Sequence, residues 1–355
     1  MTEPDITHEE QEAGVSPGSR RRWPTRGGLV EGPPRAPGRK SLRIAELALL
    51  GAMVALPLIV RDSFVADRFG RYFLLAVFAI SVDLIWGFGG VLSFGQAAFF
   101  GGAGYVVGMM TTRDWWILPV SFGVALIAGV AAAALLALGV SYFTFSGKGA
   151  LRGVEFAVVT LAVSVVAERL ANAGGQITGG QNGILMRSRL EILGFSFHKG
   201  FAFYAFTGLL LIVTYLGVRR FVASRPGLII RGVRENEDRV DLLGYDVPGV
   251  KRRTYVLAGA IAGLAGGLFF VHEGIVSPSA VGVAASTLVL LWVVLGGRGT
   301  LIGPIVGAVL LSYLTASLSG TLLDTWLVVV GVILVVVILF FPAGIFGFLT
   351  REGRE

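Results

Sequence analysis

Residues 86–105 read WGFGGVLSFGQAAFFGGAGY, in which seven glycines, a serine and a glutamine interrupt a stretch otherwise apolar enough to sit in lipid. In hydrocarbon, small residues let helix backbones approach closely, so Gly104 and Gly108 are expected to pack a helix against a neighbour. Gly87, Gly89, Gly90 and Gly95 are too dense for a good helix and predict an unwound turn over 87–95. Such backbone survives at membrane depth only where protein or a water-filled path satisfies its amides. A break there also exposes the start of the following helix, and half-helix N-termini turn positive dipole ends towards polar solutes in many transporters. Ser93 and Gln96 would supply a hydroxyl and a carboxamide at that end, making them candidate pathway residues. The alternative is a tight turn between spans whose polar side chains are satisfied internally.

The rest of the chain supports a lipid setting. Of 355 residues 54% are hydrophobic and 15% charged, with mean hydropathy +0.75; an ordinary soluble domain is roughly 25% charged. Windows of about 20 apolar residues, the length that crosses a bilayer, recur from Ile44 almost to the C-terminus. They lie near 44–60, 72–87, 88–110, 115–140, 154–172, 201–218, 254–273, 284–296, 300–319 and 325–349. The expected fold is therefore all-α, a polytopic transmembrane helical bundle of about 8–10 spans with possible broken or re-entrant helices. Residues 1–43, rich in Pro and Gly with six acids and eight bases, are expected to be a disordered basic tail. The transmembrane body would then occupy 44–349, with 350–355 a short cytoplasmic C-terminus. There is no cysteine, so neither disulfides nor thiolate metal sites exist.

Lysine and arginine accumulate in cytoplasmic loops. With the N-terminus inside, 22 of the 30 basic residues fall on cytoplasmic segments, including nine in 219–253, and seven fall outside. The loop 219–253, RRFVASRPGLIIRGVRENEDRVDLLGYDVPGVKRR, also holds five acids. Its middle, Arg231 to Leu243, predicts a short amphipathic helix with Ile230, Val233, Val240 and Leu243 in one stripe and Arg234, Glu235, Glu237 and Asp238 facing water. Pro226 marks an upstream boundary and Gly244 a stop. An apolar stripe on a cytoplasmic helix asks for a partner.

Charges inside spans are costly and mark functional candidates. Asp83 and Glu155 are expected in the interior, whereas Glu46, Glu168 and Glu273 lie near span ends. Asp83 precedes the glycine break by one turn and is expected to hold the broken backbone by accepting its amide hydrogen bonds. His272 with Glu273 is too isolated for a metal site. Two further glycine runs predict close packing: Gly259, Gly263 and Gly267 in GAIAGLAGG, and Gly299, Gly303 and Gly307 in GTLIGPIVG. SGKGAL at 146–151 lacks the spacing of a phosphate-binding P-loop, GGAGYVVG has no parallel-sheet unit around it, and no nucleophile elbow or zinc motif occurs. No catalytic residue, metal site or ATP hydrolysis is expected of this chain.

DLIWGFGGVLSFGQAAFFGGAGY at 83–105 resembles the signature of the permease subunits of ABC importers for branched-chain amino acids, and of the similar urea importers. GVEFAVVTLA, TGGQNG at 178–183, GLIIRGVRENEDRVDLLGYDV, GAIAGLAGGLF, LGGRGTLIGPIVGAVL and FPAGIFG follow in the family's order, covering roughly residues 72–349. The resemblance implies a multi-pass protein of the bacterial inner membrane with a cytoplasmic N-terminus. It also implies a second, similar permease, two cytoplasmic ATPase subunits and an extracytoplasmic substrate-binding protein. No cofactor is implied for this chain; ATP-Mg belongs to the partners. Arg234, Glu235, Asn236, Glu237, Leu243 and Gly244 match the segment that seats in the ATPase groove. Asp83, Ser93, Gln96, Glu155 and Asn182 are the candidate pathway residues, with Glu155 a departure where an aromatic or aliphatic residue is expected. LWVVLGGRGTL and DLIWGFGG lean towards urea-type members, while TGGQNG and SFGQAAFFG fit the amino-acid type as well, so the cargo stays open between the two. An ion-coupled carrier using Asp83 and Glu155 is the different-class alternative, and it would not require the docking helix.

Overall fold

The computed structural model describes residues 51, 62–112, 120–145, 151, 153–186, 191–192, 195–196, 200–321, 331–332, 335, 339 and 344, all within the unit Ile44–Glu355. The tail 1–43, the expected span 44–60 but for Gly51, and most of 325–349 lie outside the described residues. Ten α-helices are present among them. They are α1 Ser63–Asp83, α2 Gln96–Thr112, α3 Phe122–Phe145, α4 Val154–Ala173 and α5 Gly200–Ala223. α6 Arg225–Glu235, α7 Glu237–Leu242, α8 Val247–Glu273, α9 Val283–Gly296 and α10 Ile302–Thr321 follow. Strand pairing among the described residues is limited to two short antiparallel ladders, β1 Ile184–Leu185 with β4 Ile275–Val276 and β2 Glu191–Ile192 with β3 Phe195–Ser196.

The chain is an all-α polytopic bundle. Among the described residues, five helical stretches are long and apolar enough to cross a membrane: Ser63–Phe88, Phe122–Phe145, Gly200–Ala223, Val247–Glu273 and Ile302–Gly320. α3 shows what surrounds them, since Ile127, Leu135 and Phe143 are 71%, 66% and 84% exposed. A surface that apolar is stable in lipid and not in water.

α8 is the central element, packed against α1, α2 and α3, while α1 also meets α5 and α10, and α9 pairs with α10. Small residues set the approach. Gly259 and Gly263 face Ala137 and Ala133 of α3, and Gly267 faces Leu126; Gly104 faces the Phe270 ring, and Gly108 meets Ile184 and Met186. Gly303 and Gly307 lie against the backbone of Gly296 and Trp292 in α9. Gly299 departs from the expected third member of that run: it precedes α10 in a loop with φ +79 and makes a turn rather than a helix contact.

Eight of the ten expected spans coincide with a described helix, with revised ends. α1 begins at Ser63 rather than residue 72, with the Asp62 carboxylate capping it through the Phe64 N–H at 2.8 Å. Its polar first turns are affordable because their charges are paired: Asp67 lies 3.3 Å from His272 Nε2 and accepts from Gly200 N–H at 3.2 Å, and Arg71 pairs with Glu273 at 3.1 Å. α8 likewise starts at Val247 rather than residue 254, because buried Lys251 donates to Glu237 at 2.6 Å.

Candidate functional site at the glycine break

α1 does not end at Asp83 but widens into a π-helical turn over Leu84–Phe88, a form concentrated at functional positions. Residues 89–95 are non-helical and α2 begins at Gln96, so the expected span 88–110 is shortened to Gln96–Thr112. Gly90 has φ +71, a left-handed conformation that costs other L-residues roughly 1–2 kcal/mol. Gly90 N–H returns to Trp86 O at 3.1 Å and Val91 N–H to Ile85 O at 3.2 Å.

The unwound backbone is satisfied by hydroxyls from three other helices. Phe94 N–H donates to Thr160 Oγ1 at 3.1 Å, and Ser164 Oγ donates to Phe94 O at 2.6 Å. Both hydroxyls stand on one face of α4, four residues apart. Ser93 Oγ accepts from Gly95 N–H at 3.2 Å and lies 3.1 Å from the Tyr255 hydroxyl of α8. Ala97 N–H donates to Ser286 Oγ of α9 at 3.2 Å, and Ser286 lies 3.3 Å from Ser164 Oγ. Tyr255 is fully buried, its ring held edge-on by Phe99, Phe145 and Phe156 at centroid distances of 5.5, 6.1 and 5.5 Å. Sequence reasoning missed Thr160, Ser164, Tyr255 and Ser286. The available signal was the i, i+4 pair of hydroxyls in the otherwise apolar run 156–167 of α4.

Gln96 stands at the first turn of α2 and is fully buried, yet neither its Nε2 nor its Oε1 has a hydrogen-bond partner among the described residues. Ser93, by contrast, is used by the frame. Asp83 is also fully buried, but it corrects the expectation that it would hold the break behind it. Its Oδ1 accepts from Gly299 N–H at 2.6 Å and its Oδ2 from Leu301 N–H at 3.2 Å. It thus ties α1 to the loop between α9 and α10.

The other two pathway candidates are not brought here. Glu155, expected in the interior, is exposed in the first turn of α4, where the helix dipole favours a carboxylate without burial. Asn182 is exposed in the 3-10 turn Gly180–Asn182 past the far end of α4. At 1.5 Å per residue the helix alone separates them by about 27 Å.

The basic loop 219–253 forms two helices instead of one. Asn236 leaves the helix at φ −161 and caps α7 by accepting from Arg239 N–H at 2.8 Å. Pro226 stands in the first turn of α6, and Gly244, with φ +81, follows α7. Ile230, Val233 and Val240 are buried, with Val233, Val240 and Val247 in one cluster. Leu243, expected in the stripe, is 71% exposed, because the break at Asn236 turns α7 away from the phase of α6. Glu235 and Asp238 face solvent as expected. Glu237 turns to Lys251, and Arg234, exposed as expected, also donates from Nη1 to Gly87 O in the π turn.

A family model described as "Branched-chain amino acid transport system / permease component" matches residues 65–338. Among curated proteins, the chain is 28% identical over 293 residues to the high-affinity branched-chain amino acid transport system permease protein LivM of Salmonella typhimurium. That alignment covers 75% of this chain and 66% of LivM, so the chain spans just under two thirds of that relative's length. It is 23% identical over 262 residues to the probable LivM of Methanocaldococcus jannaschii, covering 65% and 73% of the two chains. BraD of Pseudomonas aeruginosa is 31% identical over 144 residues, 39% of this chain and 47% of BraD. No solved structure matches. With the motifs of residues 83–105 built into a framed break in a helical bundle, and the family match running through nearly all of that bundle, the chain belongs to the permease component family of branched-chain amino acid transport systems.

Proposed function

We propose that the chain is the membrane permease of an ATP-binding-cassette importer for branched-chain or other hydrophobic amino acids, forming half of a pathway that passes the break at Ser93 and Gln96. Family membership supports the transport class, and the names of the LivM and BraD relatives support the cargo.

The observation that carries the site is Gln96. A buried polar group left without a partner costs about 1–3 kcal/mol, and the α2 N-terminus beside it is the positive end of a helix dipole. A carboxamide offers one acceptor and two donors, suited to a solute carrying both an ammonium and a carboxylate, which it would meet in transit.

The basic loop 219–253 and the N-terminus lie in the cytoplasm in this reading. There the α6–α7 pair seats on one of two ATPase subunits, which bind ATP with Mg²⁺. Leu242 and Leu243, 88% and 71% exposed at the end of α7, supply the apolar contact. A second, similar permease completes the pathway, and an extracytoplasmic binding protein delivers the amino acid. Closure of the ATPases moves the α6–α7 pair and tilts the spans around the break.

The test is reconstitution of the full complex in proteoliposomes with its binding protein. Leucine uptake that requires ATP and is not competed by urea is the expected result. Uptake by the isolated chain on an ion gradient without ATP would replace this reading with a secondary carrier, and ATP-driven uptake of urea but not leucine would replace the cargo.

A further inference from the structure

The π turn leaves one carbonyl to be satisfied from outside. In a continuous α-helix Gly87 O would accept from Val91 N–H, but that N–H is spent on Ile85 O at 3.2 Å. Gly87 O accepts instead from Arg234 Nη1, at the last turn of α6. The same side chain fills the place beside Gly90 where a Cβ would stand, with Arg234 Cγ 2.8 Å from that position, and Nη1 lies 3.0 Å from the corresponding position on Gly299. Gly299 in turn donates to Asp83. Around it, Ile230 Cγ1 stands 3.4 Å from the Cβ position of Gly89, and the Arg231 guanidinium lies 5.8 Å from the Phe88 ring centroid. On the far side Glu237 anchors α7 to Lys251 of α8.

We propose that Arg234 is the positioning residue through which movement of the α6–α7 pair opens and rewinds the glycine break. Gly87 O has two donors available, Arg234 from the side or Val91 along the chain, and only one is engaged in this structure. While α6 rests against the π turn, the guanidinium holds the carbonyl and residues 89–95 stay unwound. When α6 withdraws, a buried carbonyl is left without a donor, and taking back the Val91 N–H extends α1 by about one turn. The unwound stretch shortens and Ser93 shifts relative to Gln96. This inference rests on the importer reading, in which the partner ATPases move α6–α7.

The experiment uses the full complex with Arg234→Met, Arg234→Lys and, because the chain has no cysteine, a single Leu92→Cys reporter in each background. Co-purification of the ATPases, leucine taken up per ATP hydrolysed, and the rate of thiol labelling at residue 92 with and without trapped ATP are measured. In complexes that retain the ATPases, Arg234→Met is expected to lower uptake per ATP hydrolysed at least tenfold, and the labelling rate is expected no longer to differ between the two nucleotide states. Arg234→Lys, which keeps a donor, is expected to restore part of both. Loss of the ATPases from Arg234→Met would make Arg234 a docking contact and overturn the proposal, as would unchanged uptake per ATP with the labelling difference intact. A wild-type complex that transports nothing with ATP overturns the importer reading, and this inference with it, without recourse to any variant.

Discussion

Gln96 and Asp83 are both polar, both fully buried and one short helical stretch apart, yet they do opposite things. Asp83 spends both carboxylate oxygens on backbone amides of the loop before α10, whereas Gln96 spends none of its hydrogen-bonding capacity on described residues. Replacing an unpartnered buried amide with an isosteric apolar group removes a desolvation cost without removing a bond. Gln96→Leu is therefore expected to leave thermal stability in detergent unchanged or slightly raised while leucine uptake falls at least tenfold with assembly intact; wild-type uptake would take Gln96 off the pathway. Gln96 was legible in the sequence because a carboxamide is conspicuous among apolar residues. Thr160, Ser164, Ser286 and Tyr255 were not, because hydroxyls inside spanning helices ordinarily bond their own preceding carbonyls. Thr160 does so too, lying 3.0 Å from both Phe156 O and Ala157 O, and only the fold shows that it also accepts the Phe94 amide. Glu155 misled for a related reason: an acid inside an apolar window reads as interior, but at the first turn of a helix it needs no burial.

At the scale of elements, the break was readable from its glycines, since Gly87, Gly89 and Gly90 crowd together off the i, i+4 spacing of a packing face, whereas the equally glycine-rich GAIAGLAGG of α8 keeps that spacing and stays helical. Its frame was not, being assembled from α4, α8 and α9 across separations of 66 to 189 residues. The basic segment 231–243 was mistaken for one helix, although Asn236 followed by Glu237 and Asp238 is a helix-start signal in its own right. α8 carries the clearest packing rule. A Cβ on Gly263 would stand 2.5 Å from Ala133 Cβ, and one on Gly259 2.6 Å from Ala137 Cβ, so α3 and α8 touch nearly backbone to backbone. Gly263→Leu is expected to push them apart at a cost of about 1–3 kcal/mol, read as a lowered melting temperature and a reduced yield of folded protein in mild detergent. The same substitution at Gly217, which has no neighbour near its Cβ position, serves as the control.

For the whole molecule, the proposal depends on the orientation expected from where the basic residues fall. α6, α7 and the start of α8 gather at one end of the bundle with the π turn, while Arg71, Glu273, Asp67 and His272 meet at the other end of α1 and α8. A Glu235→Cys chain, carrying a single exposed thiol, is expected to react with a membrane-impermeant reagent in inside-out vesicles and not in intact cells. The reverse pattern would place the α6–α7 pair out of reach of any cytoplasmic motor. α9 sets a further condition on how such a bundle sits in lipid. Its 14 residues rise about 21 Å, against a hydrocarbon thickness of about 30 Å. Glycines bound it on both sides, Gly282 against the Glu168 carboxylate and Gly297 before the loop that Asp83 holds. The cation nearest its C-terminal end, Arg298, lies 5.6 Å from the Trp86 ring centroid in the π turn, so contacts to neighbouring helices, as well as hydrophobic mismatch, set the depth of so short a helix. The vertical position of α9 is inherited from α10, with which it pairs, and from α1, and it will ride with them whatever the thickness of the surrounding bilayer.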